Sequence, residues 1–399
     1  MTKRLLILAG AGLLLLGGTR ASWAQKGGVW DLGTFPGGTW ADARGINNAG
    51  VIVGYGDIPG GFDRGVGTSL RGRNAGDWFD IGAPDGSSGS PSTMCMGVAD
   101  TGLIIGLSFL PGSAPIHAFA WTGRSGATDL GTSRPAHTDS VANGVNKAGT
   151  LIVGWSGTGR WPENGRPVVW TSSRPGREPE RDGDDADCPG RTWTIHELDT
   201  MGFPNLTNWT ATSVNNRGQI VGFGLRDGVY VPVIWNPGPN GQGWKIAALP
   251  TSRAYPHAWP NDINEEGQIV GGLGSVGWET VRAVLWQPTP ARIRTWSLTV
   301  LPPLTAAHVF CEAMGINDRG DIVGYAWDAS YFGPATRWSA KDAKFVQSLE
   351  DLGFPVGAWS LAAKVNDSGI VAGSYGGADD DWIRMVALRL RQPEREHDH

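Results

Sequence analysis

A short phrase returns seven times along the chain, and it constrains the fold more than any other feature: an Asn, two spacers and a Gly, then an apolar run closing on Gly. It reads INNAGVIVG (46–54), VADTGLIIG (98–106), VNKAGTLIVG (145–154), VNNRGQIVG (214–222), INEEGQIVG (263–271), INDRGDIVG (316–324) and VNDSGIVAG (365–373). From the first Asn, at 47, successive equivalents are 52, 47, 69, 49, 53 and 49 residues apart. Such a period marks stacked units of about 40–50 residues, the size of a four-stranded propeller blade. The long step holds one insertion, 171–191, rich in Pro and charge and expected to be a solvated loop.

The fourth unit shows the order of pieces. A first strand (WTATSVN, 209–215) runs into a turn at Asn216-Arg217-Gly218, and a second strand is QIVG (219–222). VPVIW (231–235) and WKIAAL (244–249) follow as third and fourth. The third strand recurs as HAFAW (117–121), RPVVW (166–170), RAVLW (282–286), PATRW (334–338) and VALRL (386–390). Asn tolerates turn geometry and Gly accepts the positive φ of a bulged type I turn. Consecutive apolar residues such as Val51-Ile52-Val53 predict a strand covered on both faces.

The ends predict closure. A fourth-type strand, VWDLG (29–33), comes first, and the last repeat stops after its third strand. Pairing them removes two exposed sheet edges. The expected fold is therefore all-β: a seven-bladed β-propeller of four-stranded antiparallel blades, closed by the N-terminal strand on the C-terminal repeat. An open β-solenoid is the alternative.

Lys3 and Arg4, the run LLILAGAGLLLLGG and a small-residue stretch to Ala24 predict a secretory signal peptide over 1–24. The expected mature chain is one propeller domain over 25–391 with a disordered polar tail at 392–399, exported to the periplasm or cell exterior. Losing the leader removes three bases and no acid, leaving 30 basic against 38 acidic residues, a charge of −8. That balance argues against a nucleic-acid partner, which would need clustered Lys and Arg, and no later segment reads as a membrane span. Cys95, Cys188 and Cys311 form no framework or zinc pattern. The first and last read as core residues, and Cys188 as a loop residue.

With HAFAW (117–121), DLGT (31–34 and 129–132), and GIN followed by IVG (45–54 and 315–324) in view, the chain resembles the HAF-repeat family of probable extracellular bacterial repeat proteins. The resemblance spans nearly all of the mature chain in degenerate form, with Ala99 in place of one Asn. It implies a repeat architecture and an extracellular setting, and it brings no catalytic residues.

In this strand order the fourth-to-first and second-to-third links share one face, and the Asn turns lie on the other. The links of the first face are long and varied, which points to it as the working face. Trp40, Trp209, Trp259, Phe310 and Trp359 stand where links enter first strands and are expected ligand contacts, with sealing of the core as the competing role. Trp121, Trp170, Trp235, Trp286 and Trp338 end third strands at one register and are expected to pack blade on blade. His137, His257 and His308 fall in the same entry links and are the candidates for catalysis or metal binding if the ring brings them together. Asp182, Asp184 and Asp187 in the insertion, and the Asp run of ADDDW (378–382), are oxygen ligands that could hold Ca²⁺ or simply be solvated. No cofactor is otherwise expected, and the motifs of hydrolase elbows, zinc proteases and phosphate loops are absent. The leading expectation is a non-catalytic scaffold for a glycan, peptide or protein. A propeller lyase or hydrolase and a structural or adhesive surface repeat are the alternatives.

Overall fold

The apolar runs and Asn turns fold into antiparallel strands in a computed structural model that describes residues 28–60, 62–71, 76–82, 92–109, 115–123, 126–159, 163–172, 192–239, 243–289, 295–378 and 382–390. The expected leader and tail lie outside the described residues, as do 173–191 with Asp182, Asp184, Asp187 and Cys188, and Asp379–Asp381.

A lone strand, β1 (Val29–Gly33), precedes the repeats. The first repeat contributes β2 (Ala41–Ile46), β3 (Val51–Ile58), β4 (Phe62–Ser69) and β5 (Trp78–Asp80). The second contributes β6 (Thr93–Val98), β7 (Ile104–Phe109), β8 (Ile116–Thr122) and β9 (Gly126–Asp129), and the third β10 (Asp139–Val145), β11 (Leu151–Thr158), β12 (Glu163–Ser172) and β13 (Trp193–Glu197). Next come β14 (Thr207–Val214), β15 (Ile220–Arg226), β16 (Val229–Pro237) and β17 (Trp244–Ala248), then β18 (His257–Ile263), β19 (Ile269–Gly274), β20 (Val281–Pro288) and β21 (Trp296–Val300). The sixth repeat holds β22 (Phe310–Ile316), β23 (Asp321–Trp327), β24 (Ala335–Ser339) and β25 (Val346–Ser348), and the last only β26 (Trp359–Val365), β27 (Ile370–Gly376) and β28 (Ile383–Arg389).

Each full repeat pairs its own four strands antiparallel in chain order, and β1 pairs with β28 to complete the last sheet. A single parallel bridge, Val281 to Phe310, joins the fifth and sixth sheets at one edge. The result is all-β and propeller-like, with no α-helix among the described residues. Apolar clusters fill the spaces between successive sheets, and one of them sets Ala41, Ile52 and Val66 against Ile370, Met385 and Ala387, joining the first repeat to the last.

The Asn-x-x-Gly phrase does two jobs. Within a repeat, the Asn side-chain oxygen accepts a backbone N–H at the start of the second strand, as from Val51 to Asn47 at 2.9 Å. The turn Gly adopts φ between 64° and 84° in all seven repeats, as the bulged turn requires. Between repeats, the Asn Nδ2 donates to the backbone carbonyl at the same position of the next repeat: Asn47 to Ala99, Asn215 to Asn264, Asn264 to Asn317, Asn317 to Asn366, and Asn366 back to Asn47, all at 2.9–3.0 Å. Ala99 has no amide to give, so the second-to-third seam lacks this bond, and the Asn146 Nδ2 donates to Thr150 within its own repeat. Every first strand also carries a β-bulge at one register, and Asn143, Thr212 and Asn261 at that position donate to backbone carbonyls of the next sheet. The inner strands approach so closely there that a Cβ on Gly144 would lie 2.7 Å from the Thr212 carbonyl.

The tryptophans that end third strands behave as the sequence predicts. Trp170, Trp235, Trp286 and Trp338 are at most 1% exposed. Their indole N–H groups donate to the carbonyls of Leu130, Asp199, Pro250 and Pro302, each just past the fourth strand of the preceding repeat. Trp121, half-buried, stacks on Phe79 instead, 5.8 Å between ring centres. Cys95 and Cys311 are buried free thiols, and burial pushes the Cys311 thiol up to about 11.

On the Asn-turn face, the residue after each Asn surrounds a central opening, and Lys147 crosses it. Its ammonium meets Asp318 at 2.5 Å and Asp367 at 2.7 Å, so the third repeat is tied to the sixth and seventh. Burial pushes the Asp367 carboxyl up, but hydrogen bonds from Lys147, the Asp318 amide and Asn48 outweigh it and hold the group below its ordinary value. A carboxyl depressed in the folded state stabilises above its unfolded pKa, and the contribution is lost as pH falls through the folded value. Lys147→Met should therefore cost about 1–3 kcal/mol at neutral pH, between the values for exposed and buried pairs. That difference from the parent should shrink below about pH 4, the ordinary carboxylate range. Urea titrations of both proteins from acid to neutral pH test this, and a difference that stays constant with pH would refute the tie.

Candidate functional site

The two ends of the sheets differ in chemistry. Eight large hydrophobic residues are exposed among those described: Met201, Val276, Trp278, Val300, Tyr331, Phe332, Val356 and Trp382. Every one lies in, or at the mouth of, a second-to-third or fourth-to-first link, and none on the Asn-turn face. Scattered apolar residues need no explanation, but their confinement to one face marks an interaction surface.

A concavity on that face lies between the sixth and seventh repeats. Trp327, Ser330, Tyr331, Phe332, Trp359, Leu361, Ala378 and Ile383 line a cleft of about 330 Å³, within the range of about 300–1,000 Å³ typical of ligand sites. By contrast, the central cavity lined by first strands of all the repeats holds about 120 Å³, with Lys147 among its walls. The cleft is the stronger candidate.

Its walls are built before any ligand arrives. Asp328 Oδ1 accepts the amides of Ser330 and Phe332, closing the loop after β23 into a tight turn. That turn holds Tyr331 at φ 64°, a left-handed conformation unfavourable for an aromatic residue. The strain leaves its ring 61% exposed yet stacked on Phe310, 4.8 Å between centres and 5° from parallel. Gly333 follows at φ 146°, where a Cβ would meet the Ala326 carbonyl at 2.4 Å. Gly333 exchanges backbone bonds with Ala358 and Ser360, and Trp327 donates its indole N–H to the Ser360 carbonyl. Both sides of the cleft are thus stapled to the start of β26. Trp327 also stacks on Tyr325 at 4.0 Å and meets Trp359 edge-on at 6.2 Å.

A second aromatic group covers the fifth repeat. Trp278, also at positive φ, lies over His257 with 4.3 Å between ring centres, and Tyr230 and Trp259 complete the cluster. Trp259 donates its indole N–H to Glu312, which also accepts from Asn261 and from Tyr325. Burial and then the adjacent Glu312 charge push the Tyr325 phenol far up, so it stays protonated as the donor.

The expected ligand-contact residues therefore divide. Trp359 lines the cleft and Phe310 stacks on Tyr331 without lining it, Trp259 belongs to the second cluster, and Trp40 is half-buried edge-on to Tyr55. Trp209 is corrected to a core residue: it is 2% exposed, packs against Trp235 and bonds the Leu206 carbonyl. Sequence reasoning missed Trp278, Trp327, Tyr331 and Phe332. A repeated Trp-Asp-x-x-aromatic signal does not exist to find them, because each second-to-third link is unique.

The three candidate histidines are held locally. His137 Nδ1 lies 3.1 Å from Ser133 Oγ and 3.0 Å from Ser156 Oγ. Glu197 reaches Ser133 and Arg134 rather than the imidazole, so the carboxylate does not orient the ring as a Ser-His-acid relay requires. Burial holds His137 below its ordinary value, with Glu197 opposing. Burial likewise lowers His257, which stays neutral. His308 folds back on Thr305 in its own link. Among the described residues no hydrogen bond or ring contact joins any two of them, and no three His, Cys, Asp or Glu side chains gather as a metal would need.

No family model and no curated protein matches the chain. Among solved structures, it is similar to a post-proline cleaving enzyme from Rickettsia typhi, with 8% identity, a TM-score of 0.45, and coverage of 84% of this chain and 46% of that one. The chain thus spans less than half the length of that enzyme. It is also similar to an arginine-to-alanine triple mutant of AofleA from Arthrobotrys oligospora, with 13% identity, a TM-score of 0.38, and coverage of 80% and 88%. Likeness this distant carries no functional argument.

Proposed function

We propose that this protein is an exported, non-catalytic binding scaffold of the HAF-repeat type, a closed seven-bladed propeller that presents an aromatic, loop-built face to a ligand. Closure is supported by the β1–β28 pairing and by the bond from Asn366 to Asn47. Export rests on the leader-like first 24 residues. Among the described residues no helix is long and apolar enough to cross a membrane.

The observation that carries the binding reading is the confinement to one face of the eight large hydrophobics exposed among the described residues, two of which, Tyr331 and Phe332, line a preformed cleft. Rigid aromatic side chains offer large contact area at small entropic cost. A thermal-shift screen of residues 25–399 against glycans and peptides tests it, since a ligand of the native state raises the melting temperature by mass action. The expected hit is weakened roughly tenfold or more by Tyr331→Ala or Trp359→Ala, the scale of an aromatic hot spot. Ligands insensitive to every substitution on this face would refute the reading.

A further inference from the structure

Two links on the aromatic face repeat one construction that their sequences, SVGWET (275–280) and DASYFGP (328–334), do not share. The carbonyl of the opening residue accepts the amide three positions on: Ser275 from Trp278 at 3.0 Å, and Asp328 from Tyr331 at 3.1 Å. The side-chain oxygen of the same residue locks the turn, with Ser275 Oγ accepting the Thr280 amide and Asp328 Oδ1 those of Ser330 and Phe332. Each turn thereby holds an aromatic residue in the left-handed region, Trp278 at φ 59° and Tyr331 at φ 64°. The other non-glycine residues found there among those described are Asn164, Asn208 and Asp227, types that tolerate that conformation. Strain that recurs in aromatic residues of neighbouring repeats marks a function, since folding alone would select it against.

Both aromatics rest on the residue that begins the first strand of their own repeat. Trp278 lies over His257 at the start of β18, and Tyr331 over Phe310 at the start of β22. Gly274 leaves room for the indole, because a Cβ there would come within 3.0 Å of it. Each ring is thus backed, yet both residues stay exposed. The two platforms are also joined: Val281, just past Trp278, pairs with Phe310, and Arg282 donates to the carbonyls of His308 and Val309. Three residues of strand and one strand spacing put the backbone of Trp278 within about 15 Å of the base of Tyr331.

The links also restrict the ligand. Their turn amides are bonded inward, so neither link offers a strand edge on which a peptide could pair. They hold Glu279 and Asp328 but no Lys or Arg, so neither carries a base to hold an anion. The Trp278 indole N–H and the Tyr331 hydroxyl make no hydrogen bond among the described residues, whereas the indoles of Trp259 and Trp327 do. An uncharged sugar matches this set: its C–H face lies on a ring, and its hydroxyls meet the indole N–H, the phenol and the carboxylates. We propose that Trp278 and Tyr331 are two stacking subsites for one extended, uncharged glycan lying across the fifth and sixth repeats. The proposal rests on the binding-scaffold reading above and names the ligand class of that face. One chain engaging two subsites binds far more tightly than either contact alone, so the length of the sugar chain is the diagnostic variable.

The test uses residues 25–399 and titration calorimetry with cello-, xylo-, malto- and chitin oligosaccharides, each as the disaccharide and the hexasaccharide, beside a proline-rich peptide. One sugar series is expected to bind, its hexasaccharide roughly tenfold or more tighter than its disaccharide. Trp278→Ala and Tyr331→Ala should each remove that advantage. Trp278→Gly and Tyr331→Gly form the second pair, because glycine takes the left-handed turn without strain. They should lose the same binding while the melting temperature stays close to that of the parent. Glycine variants that melt far below the parent would make the rings structural caps and overturn the proposal. Sugar binding that needs one ring or neither overturns the paired subsites and leaves the scaffold reading standing. Peptide binding that needs both rings, with none of the four sugar series bound, overturns the glycan and likewise leaves the scaffold. If no ligand of any class depends on this face, both fall.

Discussion

Trp286→Ala is expected to cost about 3–5 kcal/mol, the range for truncating a large buried aromatic. Trp286 is fully buried, fills the space between the fourth and fifth sheets with Ile269, Leu249 and Val221, and donates its indole N–H to the Pro250 carbonyl at 2.8 Å. Alanine removes the ring and strands that carbonyl. Against a total of about 5–15 kcal/mol for a folded domain, a loss of this size moves the unfolding midpoint far. Trp286→Phe keeps most of the apolar area but not the donor and should cost about 1–3 kcal/mol, the penalty of an unsatisfied buried group. Urea denaturation followed by circular dichroism separates the two. A Trp286→Ala cost under about 1 kcal/mol would show that the seams do not depend on these pins.

Removing β1 should have the second large effect. A chain beginning at Thr34 lacks Val29, Trp30 and Leu32 and leaves β28 with one unpaired edge, although Met385, Val386, Ala387 and Leu388 on that strand are fully buried in the complete protein. Exposing them is expected to remove a large part of the total stability of about 5–15 kcal/mol and to favour aggregation through the open edge. A synthetic peptide of residues 28–33 added in trans should restore part of it by strand addition. If the shortened chain melts at the same temperature as the parent, β1 does not close the structure.

Much of this was legible in the residues because it depends on local chemistry repeated many times. The Asn-x-x-Gly turns, the apolar second strands and the Trp that ends the third strand recur at fixed register, and β1 matches the fourth-strand pattern that the last repeat lacks. Repetition averages out the ambiguity of any single short strand. The same logic placed Trp170, Trp235, Trp286 and Trp338 between sheets. It failed at Trp209, where a position in the link-entry register turned out to be core, because exposure depends on what the neighbouring sheet supplies.

What the sequence determined by itself was the unit: four strands, their order, the turn chemistry and the pairing offered by the two ends. What only the tertiary structure decided was contact between units. The Asn amides that cross from repeat to repeat, the Lys147 bridge to Asp318 and Asp367, and the cleft of Trp327, Tyr331, Phe332 and Trp359 join residues that no local pattern relates. Hydrogen-bond and turn geometry within a hairpin is set by residues a few positions apart, so it is written in spacing. Contacts across seams and loop clefts depend on how sheets pack and where unique links land, which spacing does not encode.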